Sequence, residues 1–182
     1  MNQLERLDSI SLMAKIIDNL GEDSLREGLY QTPKRYINFL NEFLRQEEFS
    51  FTVFENEGHD EMVLVKNIQF YSLCEHHLAP FFGVGTIAYI PNDKIVGISK
   101  IPRVLKMYCS RLQNQERIGT QVAAYLMERL NPKGVAVLLT ARHMCMEMRG
   151  IQAMGAETVT STMVGCFKND IKCRNEFLML AK

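Results

Sequence analysis

Glu61-Met62-Val63-Leu64-Val65, then Ile68-Gln69-Phe70-Tyr71, then Cys74-Glu75-His76-His77-Leu78-Ala79-Pro80 form the stretch from which the fold is read. Before it, apolar residues recur at three- and four-residue steps. From Glu61 onward they come in short runs rich in β-branched and aromatic side chains, which is the pattern of strands. Residues 62–65 and 68–71 read as strand and lead into one cysteine and two histidines within four positions. Soft sulfur and imidazole ligands packed this tightly suit zinc or a similar transition metal.

Upstream, Leu4, Leu7, Ile10, Met13, Ile16, Ile17 and Leu20 mark one helical face that ends at Gly21. Thr32-Pro33 opens a second helix, with Thr32 as N-cap and Pro33 in the first helical position. Its apolar face is Ile37, Leu40, Phe43 and Leu44. Residues 55–60 are an acidic loop, so we expect a helical arm over residues 1–58 and a second domain over residues 59–182.

Downstream, residues 81–90 read as a second strand, Pro91-Asn92-Asp93 as a turn and residues 95–98 as a short return strand. Ser99 reads as an N-cap, with Val104, Leu105, Met107, Tyr108 and Leu112 on the buried side of its helix. A further helix spans about residues 115–130, striped by Ile118, Val122, Leu126 and Leu130 and stopped by Asn131-Pro132-Lys133-Gly134. Residues 135–148 form a long strand, 158–167 another, and 171–180 a closing helix or turn-rich tail. The layout is α+β, an antiparallel sheet with two helices on one face. Only the arm is left to cover the other face, so either the arm folds back or the chain self-associates, and self-association is favoured.

With 182 residues, 47% of them apolar and 23% charged, the chain can bury a real core. Lys plus Arg and Asp plus Glu each number 21, so no overall field favours nucleic acid or a membrane surface. No apolar run approaches bilayer-spanning length, and the polar start of the chain lacks a signal-peptide pattern. A cytoplasmic location is expected. Five cysteines without an export signal point to thiols and metal ligands rather than disulfides, with Cys109, Cys166 and Cys173 as small packing residues.

On the strand from Val135, alternation sends His143 and Cys145 to one face, with Glu147 and Arg149 following if no bulge intervenes. Cys74, His77 and Cys145 would then leave a fourth metal position open, as catalytic zinc sites do. Taken singly, His76 or His143 reads as a satisfied core histidine. Ser99, Lys100 and Arg103 set a helix N-terminus beside two cations, which suits an anion, or simply a solvated surface helix. Gln115-Glu116 suits a polar heterocycle, or favourable charge in a first helical turn.

In order along the chain stand Gly21-Glu22-Asp23, Arg26-Glu27-Gly28-Leu29, Thr32-Pro33-x-Arg35, Cys74-Glu75-His76-His77 and Gly97-Ile98-Ser99-Lys100-Ile101. Arg111-Leu112-Gln113-x-Gln115-Glu116-Arg117, His143-Met144-Cys145-Met146, Arg149-Gly150, Thr158-Val159-Thr160-Ser161 and Glu176-Phe177-Leu178 follow. Together they resemble the GTP cyclohydrolase I family, zinc enzymes at the head of the routes to folate and other pterins. The departures are few: Ala153-Met154-Gly155 stands where many members have Lys-Pro-Gly, and Val164 where arginine is frequent.

The resemblance implies a tunnelling fold whose sheets join between subunits into a barrel, usually as a decamer of two pentamers with sites between subunits. It implies one zinc ion per subunit on Cys74, His77 and Cys145. It implies that Glu116 with Gln115 grips guanine, and that Ser99, Lys100, Arg103, Arg149 and another subunit's Arg35 contact the ribose and triphosphate. The expected reaction is hydrolytic: water attacks C8 of GTP while His143 supplies a proton to N7, and formate leaves. His76 and Ser99 assist ribose opening before closure to 7,8-dihydroneopterin triphosphate. The alternatives are a tunnelling-fold enzyme acting on another pterin or deazaguanine intermediate, and a metal-stabilised scaffold without turnover.

Overall fold

The structure, a computed structural model, describes residues 3–182, with side chains from residue 5 onward. Met1 and Asn2 of the polar N-terminus, and the Leu4 side chain of the first apolar stripe, lie outside the described residues. The chain forms two compact units, Met1–Arg45 and Gln46–Lys182.

In the first unit, α1 (Gln3–Asn19) and α2 (Thr32–Phe43) pack together, joined by a hydrogen bond from the Arg6 guanidinium to Asn38 Oδ1 at 2.6 Å. Helix α2 starts one residue earlier than expected. Gln31 occupies the N-cap position without a side-chain cap, and Thr32 and Pro33 are its first helical residues. Among the described side chains of the expected α1 stripe only Ile17 is buried, while Leu7, Ile16 and Leu20 stay exposed. Within this unit a single partner helix cannot cover the whole stripe.

The second unit contains β1 (Val53–Glu55), β2 (Val63–Cys74), β3 (Pro80–Ile90), β4 (Lys94–Val96), α3 (Lys100–Cys109), β5 (Leu112–Gln113) and α4 (Gln115–Leu130). It continues with β6 (Gly134–His143), α5 (Met144–Glu147), β7 (Glu157–Gly165), α6 (Cys166–Asn169) and α7 (Ile171–Leu180). Strands β1 and β4 pair as a small ribbon. The main sheet has the order β5-β2-β3-β6-β7, antiparallel except for the β2–β5 pair.

The gap between residues 65 and 68 in the strand pattern is a bulge: the β2–β3 register shifts there and Asn67 takes φ 59°. One extra residue flips the alternation, so Val63, Val65, Ile68 and Phe70 all join the core under the helices. On that face α3 and α4 bury Ile101, Val104, Leu105, Ile118, Val122 and Leu126 completely, each contributing about 1.5–3 kcal/mol by burial. Helix α4 lies close on β7 because Gly119 carries no side chain; a methyl there would meet Thr162 Oγ1 at 2.7 Å. Leu112, expected on the buried side of α3, is exposed, because α3 ends at Cys109 and the chain re-enters the sheet edge as β5.

The opposite face of the sheet corrects a second expectation. The chain's own C-terminal helices cover one end of it: Phe167 and Phe177, edge to face at 5.8 Å, are fully buried in a cluster with Ala88 and Ala136. Towards the other end the face stays open, with Tyr71, Val84 and Val159 at 59%, 41% and 60% exposure and Tyr71 stacked on Phe82 at 5.8 Å.

Candidate active site

Cys74 is the last residue of β2, and the chain folds back at once through a turn. His77 and Leu78 N–H donate to Cys74 O, and Cys74 N–H donates to Ala79 O. Leu78 closes the turn at φ 52°, a strained position for a branched side chain. The turn brings His77 Nδ1 to 3.8 Å and His76 Nδ1 to 3.7 Å from Cys74 Sγ. Cys145 completes a group with Cys74 and His77 whose ligand atoms all lie within 4.8 Å of one another. Tetrahedral zinc with ligands at 2.0–2.3 Å separates its donors by roughly 3.3–3.8 Å, so two thiols and an imidazole at these spacings fit such an ion with small adjustments. Burial raises the Cys145 thiol pKa and the neighbouring Cys74 raises it further, while Arg149 draws it back. A bound cation would favour both thiolates.

Cys145 arrives by a route the alternation argument did not anticipate. The expected strand over residues 135–148 stops at His143, and Met144–Glu147 is a helical turn. Beyond His143 there is nothing to pair with: the β3 register ends at Phe81↔His143 and the β7 register at Arg142↔Glu157. The turn is pinned by Arg142, which donates from Nε at 2.8 Å and from its terminal NH2 to the nearly buried Glu147 carboxylate. Arg142, with help from the Gly155 N–H, holds Glu147 below the usual carboxylate range. Cys145 therefore sits on a charge-locked turn.

His143 stands at the junction of strand and turn. Its ring lies parallel to the fully buried Phe81, 4.6 Å between centroids and 4° between planes, and its Nε2 is 2.8 Å from Gln115 Oε1. Burial lowers its pKa, and the Glu116 carboxylate partly offsets that, so Glu116 lies within electrostatic reach of the ring. Gln115 itself is buried at 1% exposure, and its amide is engaged with β6 and β7. Asn114 caps α4 by accepting from Arg117 N–H at 2.8 Å, which fixes where Gln115 and Glu116 begin.

Glu75, between two candidate ligands, was not singled out from the sequence. Arg117 donates to both of its oxygens and Asn114 Nδ2 to one, and these bonds hold the carboxyl below its ordinary range. The clamp ties the cysteine–histidine turn to the start of α4. The two residues are 42 positions apart, so only the fold could reveal the pair. Glu147 and Arg142, five apart, were legible only as neighbours of His143 and Cys145.

The remaining candidates are placed elsewhere. Ser99 and Lys100 begin α3, whose ten residues span about 15 Å. Its far end is the one beside the metal group, where Ser72 Oγ donates to Cys109 O at 2.8 Å and β5 pairs with Leu73 and Cys74. Within one chain Ser99 and Lys100 are therefore not brought to Cys74, and Arg103, a turn further along, lines a surface hollow with Glu47, Phe49, Lys106, Met107 and Ser110. Ser99 stands in the N-cap position without a side-chain cap. The backbone part of the anion expectation also fails there. Lys100 and Ile101 N–H donate to Gly97 and Ile98 carbonyls, and Pro102 has no N–H, so any anion would be held by side chains. Neither Lys100 nor Arg103 makes an ion pair among the described residues. Arg149 is exposed just after α5, His76 is exposed beside the metal group, and Arg35 is exposed on α2 of the first unit. Among the described residues no helix is long and apolar enough to cross a membrane.

A family model for GTP cyclohydrolase I matches residues 10–182. The chain is 50% identical over 167 residues to GTP cyclohydrolase 1 of Aquifex aeolicus, covering 91% of each. It is 49% identical to a Synechococcus GTP cyclohydrolase 1, covering 95% of this chain and 78% of that one. The human GTP cyclohydrolase 1 is 44% identical, with 100% and 74% covered. Among solved structures, the archaeosine synthase QueF-Like in the apo form aligns at TM-score 0.48 and 17% identity, over 57% of this chain and 93% of that one, too distant a likeness to bear on function. With a match across nearly its whole length and relatives at 44–50% identity, the chain belongs to the GTP cyclohydrolase I family.

Proposed function

We propose that this chain opens the guanine imidazole ring of GTP by hydrolysis, releasing formate and forming 7,8-dihydroneopterin triphosphate, the first step towards folate and other pterins. The observation that carries the reading is the meeting of a three-ligand group, Cys74, His77 and Cys145, with His143 at the same end of the sheet. Three protein ligands leave one position open, which distinguishes a catalytic site from a closed structural one.

Zinc held by these three residues would polarise a water molecule and lower its pKa towards neutrality. His143 delivers a proton to guanine N7 as water adds at C8, and cleavage of the ring yields a formamide that a second water converts to formate. Glu116 accepts hydrogen bonds from the guanine edge. His76 and Ser99 move protons during ribose opening, and Lys100, Arg103, Arg149 and Arg35 hold the triphosphate. Charge-assisted bonds from lysine and arginine are the natural grip on that group.

Two features support sites shared between subunits. Ser99 and Lys100 stand a helix length from the metal group within one chain, and the open end of the sheet carries exposed Tyr71, Val84 and Val159. A homo-oligomer, in the form of two stacked pentamers, would cover that face and bring one chain's cations to another's metal group. The same proposal takes residues 1–58 as an arm and 59–182 as the catalytic domain, acting in the cytoplasm.

The decisive experiment is a GTP assay on zinc-loaded protein, reading formate and the fluorescence of the oxidised pterin. Turnover should vanish with a chelator and return with zinc. Absence of both signals from zinc-loaded protein would sink the proposal, and chelator-induced unfolding without prior turnover would point to a scaffold instead.

A further inference from the structure

Gln115 is the first residue of α4 and is almost wholly buried. Its amide nitrogen lies 3.0 Å from Leu139 O, 2.9 Å from Thr158 O and 3.1 Å from Thr160 Oγ1. Two of these partners are carbonyl oxygens, which only accept. A flipped amide would set Oε1 against both of them, losing the bonds and adding repulsion, so the surroundings leave one orientation. The NH2 faces β6 and β7, and Oε1 faces His143 Nε2 at 2.8 Å.

An amide oxygen carries no hydrogen, so in that contact His143 Nε2 must be the donor. This holds for the neutral ring and for the imidazolium alike. The parallel Phe81 ring, itself fully buried, fixes the plane of the imidazole, and Nδ1 has no hydrogen-bond partner among the described residues. We infer that Gln115 is a positioning residue: it holds the Nε2 proton of His143 in place and makes Nδ1 the nitrogen through which protons pass to and from the substrate. The inference rests on the proposed use of His143 as proton donor to guanine N7. The proton that reaches N7 leaves Nδ1, the ring returns to its neutral Nε2–H form, and Nδ1 is reprotonated from water. The Gln115 side chain is accordingly unavailable to grip guanine, a task left to the Glu116 carboxylate.

The same contacts could serve only to bracket α4 against the sheet, so the test needs a readout that bracketing alone would not move. Nitrogen-15 spectra of the zinc-loaded 182-residue chain with labelled histidine report which ring nitrogen bears hydrogen, and the His143→Asn variant assigns the signal. Hydrogen on Nε2 with a bare Nδ1 in the neutral ring is expected; hydrogen on Nδ1 would overturn the inference. That measurement requires no variant of Gln115 to fold. In GTP turnover, Gln115→Leu should lower kcat by about 100-fold with little change in KM. Gln115→Glu should recover most of that loss, because a protonated carboxyl can donate to a sheet carbonyl while its other oxygen accepts from Nε2. A raised KM at unchanged kcat in Gln115→Leu would instead make Gln115 a substrate contact and sink the inference. Failure of the two readings separates cleanly. A chain that releases no formate yet shows Nε2–H loses the reaction and the proton route together, whereas formate release with hydrogen on Nδ1 overturns this inference alone.

Discussion

The two ends of the sheet in the second unit are built on opposite principles. At one end Cys74, His77, Cys145 and His143 are set by paired or packed partners: Glu75 clamped by Arg117 and Asn114, Glu147 by Arg142, and His143 by the buried Gln115 and Phe81. Glu75 and Glu147 are each neutralised by an arginine. At the other end Ser99, Lys100 and Arg103 ring a helix start whose N–H groups are already spent on Gly97 and Ile98, and their cations find no acidic partner among the described residues. One end is preorganised by its own chain, and the other carries cations without an ion-pair partner among the described residues. The contrast is the one that a site shared between subunits, as proposed above, would require.

Removing a ligand attacks the preorganised end directly. Cys145→Ser should abolish zinc retention and lower formate release by on the order of 1,000-fold, since a metal supplies several kcal/mol of transition-state stabilisation; metal analysis beside the assay checks both. The comparison itself is tested by mixing. Cys145→Ser and Lys100→Ala/Arg103→Ala chains, each nearly inactive alone, should regain measurable turnover when dissociated and reassembled together. No recovery would mean that the two ends never meet across subunits.

Next in size, Arg103→Ala should raise KM for GTP by about 10- to 100-fold with a smaller effect on kcat, as expected for loss of a charge-assisted grip. Steady-state kinetics would decide between that and a purely surface role. Glu147→Gln loosens the turn that carries Cys145 and should weaken zinc about 10-fold or more, in line with losses seen when outer partners of metal ligands are removed. Competition with a chelating dye reads this directly.

The smallest effect concerns acid stability. Arg142 holds the Glu147 pKa below its ordinary value in the folded chain, so the unfolded chain takes up the proton first as pH falls. The stabilisation is complete above the unfolded value and is lost as pH drops through the folded one. Melting temperatures of Glu147→Gln should therefore fall less steeply between neutral pH and pH 3 than those of the unaltered chain. An identical slope would remove the ion pair from the account of that end.

Much of this was legible in the sequence. The change of apolar period at Glu61, the break at Lys66-Asn67, the stripe of Ile118, Val122, Leu126 and Leu130, and the Cys74–His77 spacing each express a local rule, because pleat, helix pitch and turn geometry repeat over a few residues. The errors came where a local rule met a boundary. Alternation was carried past His143, although the neighbouring strands supply no partner beyond it, and the cover over the second sheet face was expected from self-association or a folded-back arm, with no share given to α6 and α7, which cover one end of it. The motif order was likewise a property of the sequence, and it sufficed to place the chain in its family.

What the sequence by itself determined was therefore the list of chemical groups and the elements that carry them. Composition and periodicity act residue by residue along the chain. The tertiary structure alone decided which of those groups meet: Cys145 reaches Cys74 through a helical turn locked by Arg142 and Glu147, Glu75 finds Arg117, and Gln115 turns its oxygen to His143 rather than outward. These are contacts between residues separated by strands and helices. Their geometry is fixed by where the sheet runs out of partners and by which polar groups must be satisfied once buried.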